Sequence, residues 1–179
     1  MELTGREWWT TIHGMVFGSL FLLAFAGGLA GLYSLRPAWL TVSGVRERLV
    51  RLNIGTAIMA FAAWGTVITG TWIVYPWYRA AAPKGTTGAD LDAYPKAALL
   101  ANPSTADWHN FGMEWKEHIA WIAPILATAV AFIVWRYGRQ LAIEGKLRNV
   151  LIAVFVFAFA TAAVAGLFGA FITKAAPVN

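Results

Sequence analysis

Read for hydropathy, the chain alternates four long apolar stretches with short polar ones. The apolar stretches run over residues 9–35, 52–75, 118–135 and 150–172. Each is long enough to cross a hydrocarbon core, which takes about 20 residues of helix. The pattern predicts an all-α integral membrane protein, an up-down four-helix bundle in one domain spanning residues 1–179. The first stretch is too long and glycine-rich for a cleavable leader and lacks its basic start, so it is read as a span.

Between the second and third spans lies a long polar segment, residues 76–117. Its first part, PWYRAAAPKGTTGADLDAYP, is rich in turn formers and predicts an extended segment over the bundle. Farther on, Ser104 and Asp107 are candidate N-caps ahead of WHNFGMEWKEHIAW, so the third helix is expected to begin above the membrane surface. Pro124 is expected to kink that helix and to free the carbonyl of Ala120. Thr66, Thr69 and Thr71 are placed to meet hydrogen-bonding demand at such breaks, or to bond back to their own helix.

Composition agrees with the pattern: 59% of the 179 residues are hydrophobic, 13% are charged, and mean hydropathy is +0.58. Charge then orients the spans. The loops joining spans one to two and three to four carry Arg36, Arg46, Arg48, Arg51, Arg136, Arg139, Lys146 and Arg148 against only Glu47 and Glu144. The opposite face is nearly balanced. By the positive-inside rule the basic loops are cytoplasmic and both termini lie outside, an arrangement expected of a bacterial inner membrane. The net charge of +5 is thus mostly topology, which argues against a nucleic-acid partner. Trp8, Trp9, Trp72, Trp77, Tyr78, Trp108 and Trp115 form the expected outer aromatic belt, with Trp39, Trp135 and Tyr137 at the inner boundary.

Candidate chemistry centres on three histidines, His13, His109 and His118, all at the outer ends of spans. Ionisable groups at membrane depth are costly and mark sites by default. The chain has no cysteine, which excludes thiolate metal sites, iron–sulfur clusters and covalent haem attachment through a Cys-x-x-Cys-His motif. Each half of the chain repeats one layout: an outer histidine, an inward span, a basic loop and an outward span. His13 and His118 are the equivalent positions. Counted from the inner face at 1.5 Å per residue, they lie within roughly 8 Å of one depth. His109 and His118, nine residues apart, face opposite ways if one unbroken helix carries both, and Gly112 is a place for it to break. Gly14 and Gly18 form a GxxxG pair following His13, leaving room either for a close helix or for a flat macrocycle. Gly27 with Gly31, and Gly166 with Gly169, predict close helix contacts.

With four spans and these two histidines, the chain resembles the four-helix membrane b-type cytochromes that anchor respiratory complexes or carry their electrons. The resemblance implies one haem b held by His13 and His118 near the outer face. It also implies electron exchange with a periplasmic carrier such as a cytochrome, or with quinone and quinol. Neither arrangement typical of two-haem members is present. His109, Met15 or Met113 are alternative ligands, and His109 with Arg79 or Lys116 is placed to meet the propionates. Two further readings remain open at this point: a noncatalytic accessory subunit of a larger membrane complex, and an outer-face copper or zinc site built from the three histidines with Glu114. No midplane acid or base indicates a transporter, and no nucleophile–base pair indicates hydrolysis.

Overall fold

The structure, a computed structural model, describes residues 2–37 and 42–177; Trp39 of the expected inner belt lies outside the described residues. It is all-α, and four helical stretches, Gly5–Ser34, Gly44–Tyr78, Trp108–Ile143 and Gly145–Ala175, are long and apolar enough to cross a membrane.

Each stretch outruns its hydropathy window. The first begins with α1 (Gly5–Thr11), because Thr4 and Glu7 form a reciprocal capping box: Glu7 N–H donates to Thr4 Oγ1 at 3.2 Å and Thr4 N–H to Glu7 Oε2 at 2.6 Å. A π-helical segment, Ile12–Val16, leads into α2 (Phe17–Ser34). The second stretch is α3 (Val42–Thr69), a π segment at Gly70–Val74, and α4 (Tyr75–Tyr78). Arg46 to Arg51, expected in a loop, are helical within α3, since arginine and leucine are good helix formers once a helix has begun.

The segment over residues 76–117 is more structured than the extended cover expected of its first part. A 3-10 turn occupies Gly88–Ala93, and α5 (Pro95–Ala101) starts on a proline at its first position, where the missing N–H costs nothing. Neither Ser104 nor Asp107 caps the third stretch: Ser104 bonds Asn102 Oδ1, and Asp107 makes no side-chain cap. A third π segment, Trp108–Met113, precedes α6 (Glu114–His118). The chain then leaves the helix over Ile119 to Trp121 before α7 (Ile122–Ile143). That break is the expected effect of Pro124, whose ring clashes with the carbonyl four residues back. α8 (Gly145–Ala175) follows after Glu144 alone, so the second basic loop is almost entirely helical.

Contacts divide the chain into two compact units. One comprises residues 1–18, 65–121 and 163–179; the other comprises 19–64 and 122–162. The second has an aromatic core in which Phe25 stacks on Phe159 at 3.9 Å between centroids and meets Phe155 at 5.2 Å. Leu52, Met59, Val130, Val134 and Leu141 are fully buried with them. Close approach there uses Gly28 rather than the expected Gly27: a Cβ on Gly28 would lie 2.7 Å from the Phe155 ring, whereas one on Gly27 meets nothing within 4 Å. Gly31 packs on Leu52 as expected. The first unit is centred on Tyr78, Leu99, Met113, Ile172 and Ala176. Leu23, Phe61, Phe132 and Phe157 are exposed, as side chains facing lipid must be.

Two of the basic residues from which the sequence predicts orientation close helix ends. Arg148, buried, donates to the carbonyls of Leu35 at 2.7 Å and Leu141 at 3.0 Å; Arg48 donates to the Ser34 carbonyl at 3.0 Å. A cation on the last carbonyls of a helix also opposes its dipole favourably. Replacing Arg148 by Met is therefore expected to cost about 3 kcal/mol, because two carbonyls lose a charged donor where little water replaces it. Arg51→Met, which breaks only an exposed i,i+4 pair with Glu47, is expected to cost no more than about 0.5 kcal/mol. Unfolding of both variants in mixed micelles measures the contrast.

Candidate functional site

Most of the polar side chains singled out from the sequence fall in the first unit, and two of the three histidines are placed by an irregular piece of helix. His13 sits in the π segment Ile12–Val16, and the π segment Gly70–Val74 lies against it: a Cβ on Gly70 would stand 2.7 Å from the imidazole Cε1. The ring is part-buried, with Nδ1 2.8 Å from the Thr66 carbonyl and 3.3 Å from Thr69 Oγ1. A carbonyl only accepts, so Nδ1 carries the hydrogen and, in the neutral ring, Nε2 holds the lone pair. Metal-binding histidines are characteristically held this way, with one ring nitrogen anchored and the other left basic.

His118 is placed differently. Its ring is 71% exposed, and Nε2 pairs with Glu114 Oε2 at 3.2 Å across one turn of α6. No described hydrogen bond, ion pair or ring contact joins His13 to His118. His109, in the π segment Trp108–Met113, is bonded through Nδ1 to Tyr78 Oη at 2.8 Å and tilts against that ring at 5.8 Å. The alternative ligands also separate: Met15 is 69% exposed, whereas Met113 is buried in the core around Tyr78 and Leu99.

The residues expected to meet propionates are engaged elsewhere. Lys116 donates to the carbonyl of Ala165 at 3.3 Å, and its amine fills the notch left by Gly169, where a Cβ would lie 2.7 Å away. Arg79 lies over the Tyr75 ring at 5.3 Å, and Tyr75 donates to Glu117 Oε1 at 2.5 Å. Tyr75 and Tyr78 stack at 6.2 Å, so Glu117, Tyr75, Tyr78 and His109 form one polar and aromatic cluster. Tyr75, Glu117 and Gly70 carried no signal in the sequence, and Thr66 was expected only to meet a helix break or bond its own helix, because their partners lie 42 to 57 residues away.

Gly14 and Gly18 open onto space: a Cβ on either would meet nothing within 4 Å. They take part in no close helix contact within the described chain. The open space lies along the faces of Gly14 and Gly18 on the helix that carries His13, whose ring itself packs against Gly70. The three-histidine metal centre is not assembled, since no group of three His, Cys, Asp or Glu side chains among the described residues is placed to hold an ion. His13 is held by Thr66, His109 by Tyr78 and His118 by Glu114, so each is committed to its own neighbour.

Gly70 and Gly166 separate close approach from mere propensity. Gly70→Ala is expected to displace the His13 ring from Thr66 and to cost about 1–3 kcal/mol of overpacking. Gly166→Ala, whose Cβ meets nothing within 4 Å, is expected to stabilise α8 by about 0.5–1 kcal/mol. Thermal unfolding in detergent, with imidazole nitrogen NMR of His13, reads both effects. Compared with known protein families, with curated proteins and with solved structures, the chain matches none.

Proposed function

We propose that the chain is an integral membrane electron-transfer subunit that holds one b-type haem near its outer face. In this reading it exchanges electrons with a periplasmic carrier or with quinol. The observation that carries the reading is the anchored imidazole of His13, whose Nδ1–H is fixed on the Thr66 carbonyl and whose Nε2 is the basic nitrogen. The open faces of Gly14 and Gly18 beside it fit a flat ligand. A haem supplies a one-electron iron couple. What the chain contributes is the ligand and its orientation: Thr66 fixes the tautomer of His13, and Gly70 allows the ring to lie where it does. His118 is the second ligand in this reading and must give up Glu114 to serve. Anchored on one side and mobile on the other, the pair would bind the iron asymmetrically.

The proposal extends to topology. Both termini and the segment containing α5 lie on the outer side, and the basic turns around Arg36 and Lys146 lie in the cytoplasm of a bacterial cell. The chain forms an up-down bundle. A second reading, an accessory subunit packed against a larger complex, is favoured by the same open Gly14–Gly18 face, because small residues at i and i+4 admit a neighbouring helix closely.

An absorption spectrum of the purified chain, oxidised and then reduced with dithionite, distinguishes the two. The haem reading expects a sharp reduced alpha band that is lost in His13→Ala and altered in His118→Ala. It also expects Gly18→Leu to lower haem content without lowering thermal stability. A folded chain that stays colourless after incubation with excess haem would overturn it and leave the accessory reading. Topology is tested apart from cofactor: the natural chain has no cysteine, so Thr87→Cys and Lys146→Cys each introduce a single exposed thiol. In intact spheroplasts a membrane-impermeant maleimide should label the first and not the second; the reverse would invert the assignment.

A further inference from the structure

The second unit carries an open cleft of about 320 Å³ that the electron-transfer reading does not use. Leu49 and Asn53 of α3 form one wall, and Trp135, Arg136, Tyr137 and Arg139 of α7 contribute to the other. Three features set it apart from an ordinary helix groove. First, α7 is interrupted here, with Tyr137 at φ −122° and ψ 16°, and Gly138 is pressed against Leu49 so closely that a Cβ would lie 2.9 Å from Leu49 Cδ2. Second, two exposed arginines, Arg136 and Arg139, are among its lining residues, none of which is acidic, and the Arg136 guanidinium lies over the ring of Tyr137, another lining residue, at 5.2 Å. Third, Asn53 Oδ1 is buried and receives no hydrogen bond.

That amide cannot correct itself. Asn53 Nδ2 donates to the Leu49 carbonyl at 2.9 Å, so turning the amide over would set oxygen against oxygen and lose the bond it has. An unsatisfied buried acceptor is costly and calls for an outside donor. The lining therefore specifies a ligand with an anionic group for the arginines and a hydroxyl for Asn53. Trp135, 71% exposed, and Tyr137 beside it are residue types that settle at the headgroup level of a bilayer. Basic pockets between spans at that level hold anionic headgroups.

We infer that this cleft is a binding site for one anionic phospholipid with a hydroxylated headgroup, of the phosphatidylglycerol type, its phosphate on Arg136 and Arg139 and a headgroup hydroxyl donating to Asn53. The site rests on the membrane character of the chain and not on haem.

Native mass spectrometry of the full chain in neutral detergent tests it, using phosphatidylglycerol, phosphatidic acid and phosphatidylcholine with identical acyl chains. One phosphatidylglycerol should bind in preference to the other two. The double variant Arg136→Gln/Arg139→Gln should weaken it roughly thirtyfold, whereas Arg46→Gln/Lys146→Gln, with the same charge loss on the same basic face, should weaken it less than about threefold. Asn53→Leu should remove the preference for phosphatidylglycerol over phosphatidic acid while phosphatidic acid still binds. Millimolar inorganic phosphate should not displace the lipid. Equal binding of phosphatidylcholine, an equal loss in the control variant, discrimination that survives Asn53→Leu, or displacement by phosphate would each overturn the assignment. The wild-type lipid preference and the Asn53 variant decide the matter even if the arginine variant fails to fold.

Discussion

A backbone carbonyl that loses its helical donor inside hydrocarbon has no water to turn to, and the polar chemistry of this protein is organised around that deficit. At the ends of α2 and α7, ahead of the π segment of the second stretch, and within α8, a side chain from another helix answers a carbonyl. Arg148 answers Leu35 and Leu141, Arg48 answers Ser34, His13 answers Thr66 and Lys116 answers Ala165. At a water-exposed surface such bonds would compete with solvent and be worth less. In a membrane the same bonds decide where irregular backbone is tolerated at all. The candidate ligand His13 belongs to this set: the bond that satisfies Thr66 is the same bond that fixes which ring nitrogen is left for chemistry.

The irregular backbone is not evenly spread. Among the described residues three π segments, Ile12–Val16, Gly70–Val74 and Trp108–Met113, all belong to the first compact unit, and two of them carry or press against His13 while the third carries His109. Such segments recur at functional sites because each widens a helix by one residue and re-aims the side chains around it. The second unit is the more regular: long α-helices close over stacked phenylalanines, with the bend at Tyr137 as its chief irregularity. The contrast gathers the irregular backbone in the unit that also holds all three histidines.

How far the sequence could be read follows from what each signal depends on. Hydropathy found the four apolar stretches because span length depends only on the residues within it. It cut them short because charge ends a hydropathy window without ending a helix, as Arg46 to Arg51 and Arg136 to Gln140 demonstrate within α3 and α7. The break before Pro124 was legible for the same local reason. So were two features passed over, the Thr4–Glu7 capping box and the proline opening α5. What no local reading reaches is the partner of a side chain on another span. His13 and Thr66 are 53 residues apart, Tyr75 and Glu117 42 apart, and nothing in either neighbourhood names the other. The expected pairing of His13 with His118 rested on depth along the spans. Depth does not fix the direction a ring faces, and here one ring meets a second span while the other meets Glu114 on its own helix.

Glycine shows the same limit from another side. Spacing alone made Gly14–Gly18, Gly27–Gly31 and Gly166–Gly169 equivalent candidates for close helix contact, yet they divide three ways. Gly31 admits a leucine and Gly169 an ammonium; Gly14, Gly18, Gly27 and Gly166 admit nothing within the described chain. A small residue saves steric room, but whether that room serves helix packing, a charged side chain or an outside occupant depends on what stands opposite. The open pair beside His13 is therefore informative in a way its motif is not. A glycine that packs nothing in its own chain gives up helix propensity without a return from internal packing. At Gly166 that loss stands uncompensated and alanine gains; where an open glycine is compensated from outside, the contact comes from another subunit or a ligand, since a lipid tail is served as well by alanine.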